Sequence, residues 1–169
     1  MTLELGRTGS TGTRGETPVL RDGAVVATMR ASQWKEAATA VIGGREWVFS
    51  KHHRVLLGRW TADPEGTSRL SARPASFWRG TWIADLEGTA VERQRVSRWR
   101  SIRHYVADGR EVARSGNAGR WSSRPRLTAD ESLPLHQQVF LLWLELVIRR
   151  RDQAAVAGAT SAAVIGGTT

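Results

Sequence analysis

Ten residues near the C-terminal end, Val139-Phe140-Leu141-Leu142-Trp143-Leu144-Glu145-Leu146-Val147-Ile148, are apolar on every helical face apart from Glu145. A helix that is apolar all round must be buried on all sides, in a bilayer or inside a protein. A span takes ~20 mostly apolar residues, whereas roughly 10–14 is more typical of a core helix. Here the apolar run is preceded by the amides of Gln137 and Gln138 and closed by Arg149-Arg150-Arg151. Glu145 is costly at bilayer depth, although Arg149 four residues on is spaced to pair with it. The internal alternative fits on size. Leu133 to Ile148 is about 24 Å of helix, close to the length of a seven-residue strand.

The enclosing element follows from the preceding residues. Asp22-Gly23, Gly43-Gly44 and Asp108-Gly109 supply the positive φ angles of two-residue hairpins. Asp63-Pro64-Glu65-Gly66 and Glu87-Gly88 mark two more turns. Between these signals lie short β-rich runs, ending with a predicted strand over Trp121 to Leu127. Gln33 to Ala38 reads as a short helix or a bulge. Turn signals every ~8–12 residues indicate an all-β barrel or sandwich. Roughly ten to twelve strands are expected, and three of the hairpins share weak internal similarity. An eight-stranded barrel is filled by its own side chains, and a wider one admits a central helix. The predicted fold is therefore all-β with one helix: a closed antiparallel barrel of roughly ten to twelve strands enclosing a hydrophobic helix over about 132–150. Thr128 with Glu131, or Ser132 before Leu133-Pro134, is the predicted cap. The expected organisation is a first strand and flexible Gly-rich loop over 1–16, the barrel with its helix over 17–151, and a mobile Ala/Gly-rich tail over 152–169.

The 169 residues are 40% hydrophobic and 24% charged, the balance of one soluble domain. There is no cysteine, which excludes disulfides and thiolate chemistry and fits a reducing cytosol. The first residues lack a signal-peptide core, so a cytoplasmic location, peripheral at a membrane, is expected. The formal charge of +9 is carried by 23 Arg and 2 Lys. A basic surface attracts phosphates, and guanidinium binds them bidentately. The bland account of the same bias is a GC-rich genome. The eight tryptophans read first as core filling.

Many short strands followed by Leu133-Pro134-Leu135-His136-Gln137-Gln138-Val139-Phe140-Leu141-Leu142-Trp143-Leu144-Glu145-Leu146-Val147-Ile148-Arg149-Arg150-Arg151 resemble the tubby C-terminal-like superfamily. The likeness covers roughly residues 17 to 151. Hairpins such as Tyr105-Val106-Ala107-Asp108-Gly109-Arg110-Glu111-Val112-Ala113 are typical of its LURP-one-related branch, which stands beside the phospholipid-scramblase branch. The resemblance implies a twelve-stranded barrel around a hydrophobic helix. The chain has no close copy of the tubby phosphoinositide motif, and no scramblase-like acidic calcium loop.

No catalytic motif stands out. There is no Gly-x-Ser-x-Gly elbow, and no metal site or cofactor is expected. His52 and His53 are adjacent and would point to opposite faces of a strand, so they read as a surface or turn pair. His104 alternates with Ile102 and Val106 and is expected to face the core. His136 is expected near the barrel mouth. If the helix fills the lumen, no small-molecule ligand fits inside. The candidate lipid- or phosphate-binding residues are Arg93, Arg95, Arg98, Arg100 and Arg103, with Arg120, Arg124 and Arg126 as a second group near Trp121. Their bland reading is a solvated outer face whose stems cover aromatics. The functional expectation is a non-enzymatic binding or scaffolding module. It would contact anionic phospholipids or a protein partner, with nucleic acid as the alternative.

Overall fold

A computed structural model describes the backbone of residues 1–10, 12–32, 34–76, 80–95, 102–119, 122 and 124–165, and their side chains except those of 95 and 158–165. Twelve strands precede a single helix: β1 (Thr2–Leu5), β2 (Thr17–Arg21), β3 (Ala24–Ala31), β4 (Ala38–Ile42), β5 (Arg45–His52), β6 (Val55–Trp60), β7 (Leu70–Ser76), β8 (Thr81–Leu86), β9 (Thr89–Arg95), β10 (Arg103–Ala107), β11 (Arg110–Asn117), β12 (Pro125–Ala129) and α1 (Leu135–Ile165). Each strand pairs antiparallel with its sequence neighbour. β1 pairs with β12, Leu3 opposite Leu127, and closes the barrel. The first strand is thus a stave of the barrel and not part of a separate N-terminal segment. The last strand runs Pro125–Ala129, later than expected, and Trp121 lies outside the described residues.

The hairpin signals act as their chemistry requires. Asp22-Gly23 and Asp108-Gly109 hold φ of 51° and 84°, and 49° and 76°, the left-handed pairs of a type I′ turn. In both hairpins the register slips just beyond the turn, between Val19 and Leu20 in one and between Tyr105 and Val106 in the other. Each slip leaves an extra residue, Val26 or Val112, in the outgoing strand. The similarity of these two segments therefore includes a shared bulge. The Gly43-Gly44 hairpin has none, Ala40 facing Trp47 and Ile42 facing Arg45 in continuous register. His53 sits at φ 52° in the turn after β5, and Ser32 to Ala37 forms a loop between β3 and β4 closed by Ser32 N donating to Ala37 O at 2.9 Å. Gln33 lies outside the described residues.

The helix threads the lumen. Val139, Phe140, Leu141, Leu142, Trp143 and Leu144 are fully or almost fully buried. Among the buried wall residues, alanines (Ala27, Ala38, Ala40, Ala72, Ala84, Ala107, Ala113 and Ala129) alternate with large side chains such as Leu3, Met29, Phe49, Leu56, Leu70 and Leu127. Native interiors are packed to crystal density, so space taken by an axial helix must be given up by the staves. Gly58 is a close approach between wall and helix. A Cβ there would lie 3.1 Å from Phe140 Cδ2 and 3.2 Å from Phe49 Cδ1. Phe49 stacks on Trp143 at 5.2 Å and meets Phe140 edge-on at 5.6 Å.

Two expectations about the helix change. Thr128 caps nothing, because it belongs to β12 and meets Thr2 by a hydroxyl contact of 3.1 Å. The lead-in is instead an Asp130 turn, whose carboxylate accepts from Ser132 N at 3.0 Å and Oγ at 2.9 Å. The helix also continues to Ile165, giving 31 residues where a stop near 150 was expected. Alanine-rich sequence has high helix propensity, and the helix is already nucleated inside the barrel. At about 46 Å it outruns the staves, so its last turns project from the mouth where Arg149, Arg150 and Arg151 emerge. Among the described residues no helix is long and apolar enough to cross a membrane.

Candidate functional site at the helix exit

Because the strands alternate in direction, their connections alternate between two mouths. The helix begins at the mouth closed by Asp22-Gly23, Gly43-Gly44, Glu87-Gly88 and Asp108-Gly109 and leaves at the other. At the first mouth, the ring of Trp47 stacks on His136 at 4.7 Å, and Arg45 lies 4.8 Å over Trp60. Glu87 accepts from Gln137 Nε2 at 2.8 Å and meets His136 Nε2 at 2.9 Å. His136 is therefore at a barrel mouth, as expected, and helps to seal it.

Inside the exit half of the lumen sits one charged cluster. Arg93 Nε donates to Glu145 Oε1 at 2.6 Å, Nη2 reaches Oε2 at 3.3 Å, and Tyr105 Oη donates to Oε1 at 2.7 Å. All three residues are buried. Burial alone pushes the Glu145 carboxyl up, but the Arg93 guanidinium, helped by Tyr105, outweighs it and holds the group below the usual carboxylate range. Burial pushes the Tyr105 hydroxyl well above its ordinary value, and the Glu145 charge acts in the same direction. The cluster is thus an ionised pair with a neutral phenol donor, and it fixes the helix in register and rotation.

Arg93 was expected to face solvent and meet phosphate. The structure overturns this. β9 alternates Val91 and Arg93 inward, and Arg93 stands opposite Tyr105 on β10, where it is the counter-charge for Glu145. The sequence signal was Glu145 itself: a carboxylate on a helix buried all round needs a cation from the wall. His104 is corrected too. Tyr105 and Ala107 face the core, and His104 points outward, its Nδ1 paired with Glu111.

The other candidates separate. Arg103 and Arg149 join Arg93 and Glu145 around a hollow of about 250 Å³, together with Asn117 and Asp152. Arg149 donates there to Asn117 Oδ1 and Gly116 O, each at 2.5 Å. Arg126 lies on the outer wall, half-exposed, with its Nε 3.9 Å from Glu4. Arg98, Arg100 and Arg120 fall outside the described residues, as does the side chain of Arg95. Arg124 alone reaches a larger cleft, of about 440 Å³, between the barrel rim and the emerging helix.

That cleft brings together residues from four stretches of chain. Arg7 follows β1, Arg30 is the penultimate residue of β3, Arg124 precedes β12 and Arg150 lies on the helix, above a floor that includes Leu5, Met29, Pro125 and Leu146. No carboxylate is among the described residues that line it. Arg124 Nη1 donates to Leu5 O at 3.0 Å, and Arg150 Nη1 donates to Ser32 O at 2.7 Å, which ties two of the guanidiniums to the rim. Glu16 stands near Arg30, held below the usual carboxylate range first by a hydrogen bond from Thr28 and also by Thr13 and the Arg30 charge. Arg7, Arg30 and Arg150 were not singled out from sequence. Strand parity is the signal that finds them, since each lies where its element meets the same mouth.

Among the described residues no group of three or more His, Asp or Glu is placed to hold a metal ion. Geometry thus defines a helix-filled barrel with a basic cleft at one rim. Compared with known proteins, the chain matches no family model, and no curated protein or solved structure is significantly similar to it.

Proposed function

We propose that the protein is a non-enzymatic binding module of the tubby-like kind that docks on anionic phospholipid headgroups through the cleft at the helix exit. The observation that carries this is the four-arginine lining above an apolar floor, with no carboxylate among the described lining residues. Guanidinium groups bind phosphate oxygens bidentately and with charge assistance. The floor of Leu5, Met29, Pro125 and Leu146 suits the glycerol and upper acyl carbons of a lipid better than a bare phosphate. Phe140, Leu142 and Trp143 are buried along the lumen, which supports a site at the rim.

Vesicle co-sedimentation tests this reading. Vesicles carrying phosphatidylserine or a phosphatidylinositol phosphate should bind, and pure phosphatidylcholine should not. Arg7→Ala with Arg30→Ala should weaken binding at least tenfold, on the order of ~1 kcal/mol per basic residue at an anionic surface. Arg126→Ala, on the outer wall, should leave it unchanged. Binding that survives the double substitution would place the contact elsewhere. If vesicles fail while single-stranded oligonucleotides bind with steep salt dependence, the same arginines serve nucleic acid instead.

A further inference from the structure

We infer that the barrel meets an anionic bilayer mouth-first, with Trp34 entering the interfacial layer beside the arginine cleft. This rests on the headgroup reading above and adds an orientation and an insertion residue to it. Trp34 is 95% exposed, while Trp47, Trp82 and Trp143 are buried. A fully solvated indole on a rigid loop calls for an external partner. Indole suits the headgroup layer of a membrane, where one edge is apolar and the other wet.

The loop is held and not slack. Ser32 Oγ accepts from Trp34 N at 3.3 Å and Lys35 N at 3.0 Å. Arg151 pairs with Glu36 through Nε at 2.5 Å and Nη2 at 2.7 Å, and Lys51 Nζ reaches the same carboxylate at 2.8 Å. The loop is therefore fastened to both the helix and β5 while Trp34 projects beyond the fastening. Arg150 lines both the arginine cleft and the hollow that contains Trp34 and Lys35, so indole and cleft are neighbours across one guanidinium.

Two further observations name the occupant. Described loop and helix-exit cations at this mouth are Arg7, Arg14, Lys35, Arg54, Arg124, Arg149, Arg150 and Arg151, against Glu16, Glu36 and Asp152, so the field favours a negative surface. The helix leaving the mouth stays helical to Ile165, and Ala154 to Ile165 contains no charged residue. An uncharged helix rising from a cationic collar next to an exposed indole matches an interface of headgroups over acyl chains better than it matches an aqueous polyanion.

The experiment compares intact protein, Trp34→Ala and Trp34→Tyr on phosphatidylserine vesicles and on soluble dihexanoyl phosphatidylserine below its micellar concentration. Trp34→Ala should bind vesicles about tenfold more weakly, Trp34→Tyr should recover most of the loss, and all three should bind the soluble lipid equally. Acyl-chain-brominated vesicles should quench part of the indole emission in the intact protein, and that part should be missing in Trp34→Ala. Equal vesicle binding or equal quenching by Trp34→Ala overturns the insertion while the headgroup reading stands, and leaves Trp34 to a protein or nucleic-acid partner. Failure of the intact protein on vesicles and soluble lipid alike overturns both.

Discussion

The mouth where the helix begins and the mouth where it leaves are made from the same twelve staves, yet they differ in charge and filling. At the first, Asp22-Gly23, Gly43-Gly44, Glu87-Gly88 and Asp108-Gly109 turn the chain in two residues each, and Asp63, Glu65, Asp130 and Glu131 add negative charge. Trp47 and His136 stack across it. At the second, the β1–β2 and β3–β4 connections are longer, cationic residues dominate the described connections, and a cleft of about 440 Å³ opens beside the helix. Tight turns with stacked rings suit a seal, because they leave little backbone to move. Longer connections present side chains without disturbing the ladders, which is why binding residues collect on loops over a rigid scaffold. On the proposed reading, the molecule separates stability from recognition along one axis.

That separation can be broken experimentally, most forcefully at the pin between the two ends. Arg93→Ala should cost about 3–5 kcal/mol, because buried Glu145 would lose its close bidentate cation and keep only Tyr105 Oη at 2.7 Å and Arg149 Nε at 4.0 Å. Replacing both partners, Arg93→Met with Glu145→Leu, should recover most of it. Urea unfolding reads both, and a small effect of the single change would mean that the pair does not pin the helix.

A smaller effect is expected at the sealed mouth. Gly23→Val or Gly109→Val forces a β-branched residue to positive φ and should lower stability by about 1–3 kcal/mol. Vesicle affinity per folded molecule should not change. The reverse pattern is expected at the cationic mouth, where Arg7→Ala with Arg30→Ala should shift stability by less than about 0.5 kcal/mol while vesicle binding drops. A turn substitution that weakens binding would show that the ends are not independent.

The smallest expected effect concerns the Glu36 clamp. The Arg151 guanidinium beside Glu36, aided by Lys51, lowers its carboxyl from 4.5 to about 2. A depressed carboxylate contributes stability that is fully present above its unfolded value of 4.5 and is lost as pH falls through about 2. With Glu36 partly exposed, the contribution is on the order of 1 kcal/mol. Thermal melts of Glu36→Gln should sit slightly below those of the intact protein at pH 6, and the gap should close toward pH 2. A constant gap would rule out ionisation of Glu36 as its source.

The helix and the barrel were legible because each rests on a local rule. Val139 to Ile148 demands enclosure, and Asp22-Gly23 and Asp108-Gly109 demand hairpins. The facing of individual strands was less legible. His104 was expected inward beside Ile102 and Val106, but Ala107 and Tyr105 point in. The inner face of this barrel mixes alanines with large side chains, so hydrophobicity alone does not mark it: Ala40 is inward while Val41 is 49% exposed. Arg93 was misread for a related reason, since its partner lies 52 residues away on another element. The cleft was hidden because Arg7, Arg30, Arg124 and Arg150 converge only after all staves are set. Of the predicted arginines whose side chains are described, Arg124 is the one that lines it.

The order of elements along the chain has a consequence for biosynthesis. β1 finds its partner β12 only when nearly all the strands have been made, and the helix that fills the lumen is translated after both. A growing chain therefore holds alternating apolar strands with neither closure nor axle, a state with exposed edges and high aggregation risk. Closing Leu3 onto Leu127 also carries the entropy of a very long loop. Maturation should accordingly be post-translational and close to all-or-none, and chains interrupted before Val139 should need chaperone capture or be degraded.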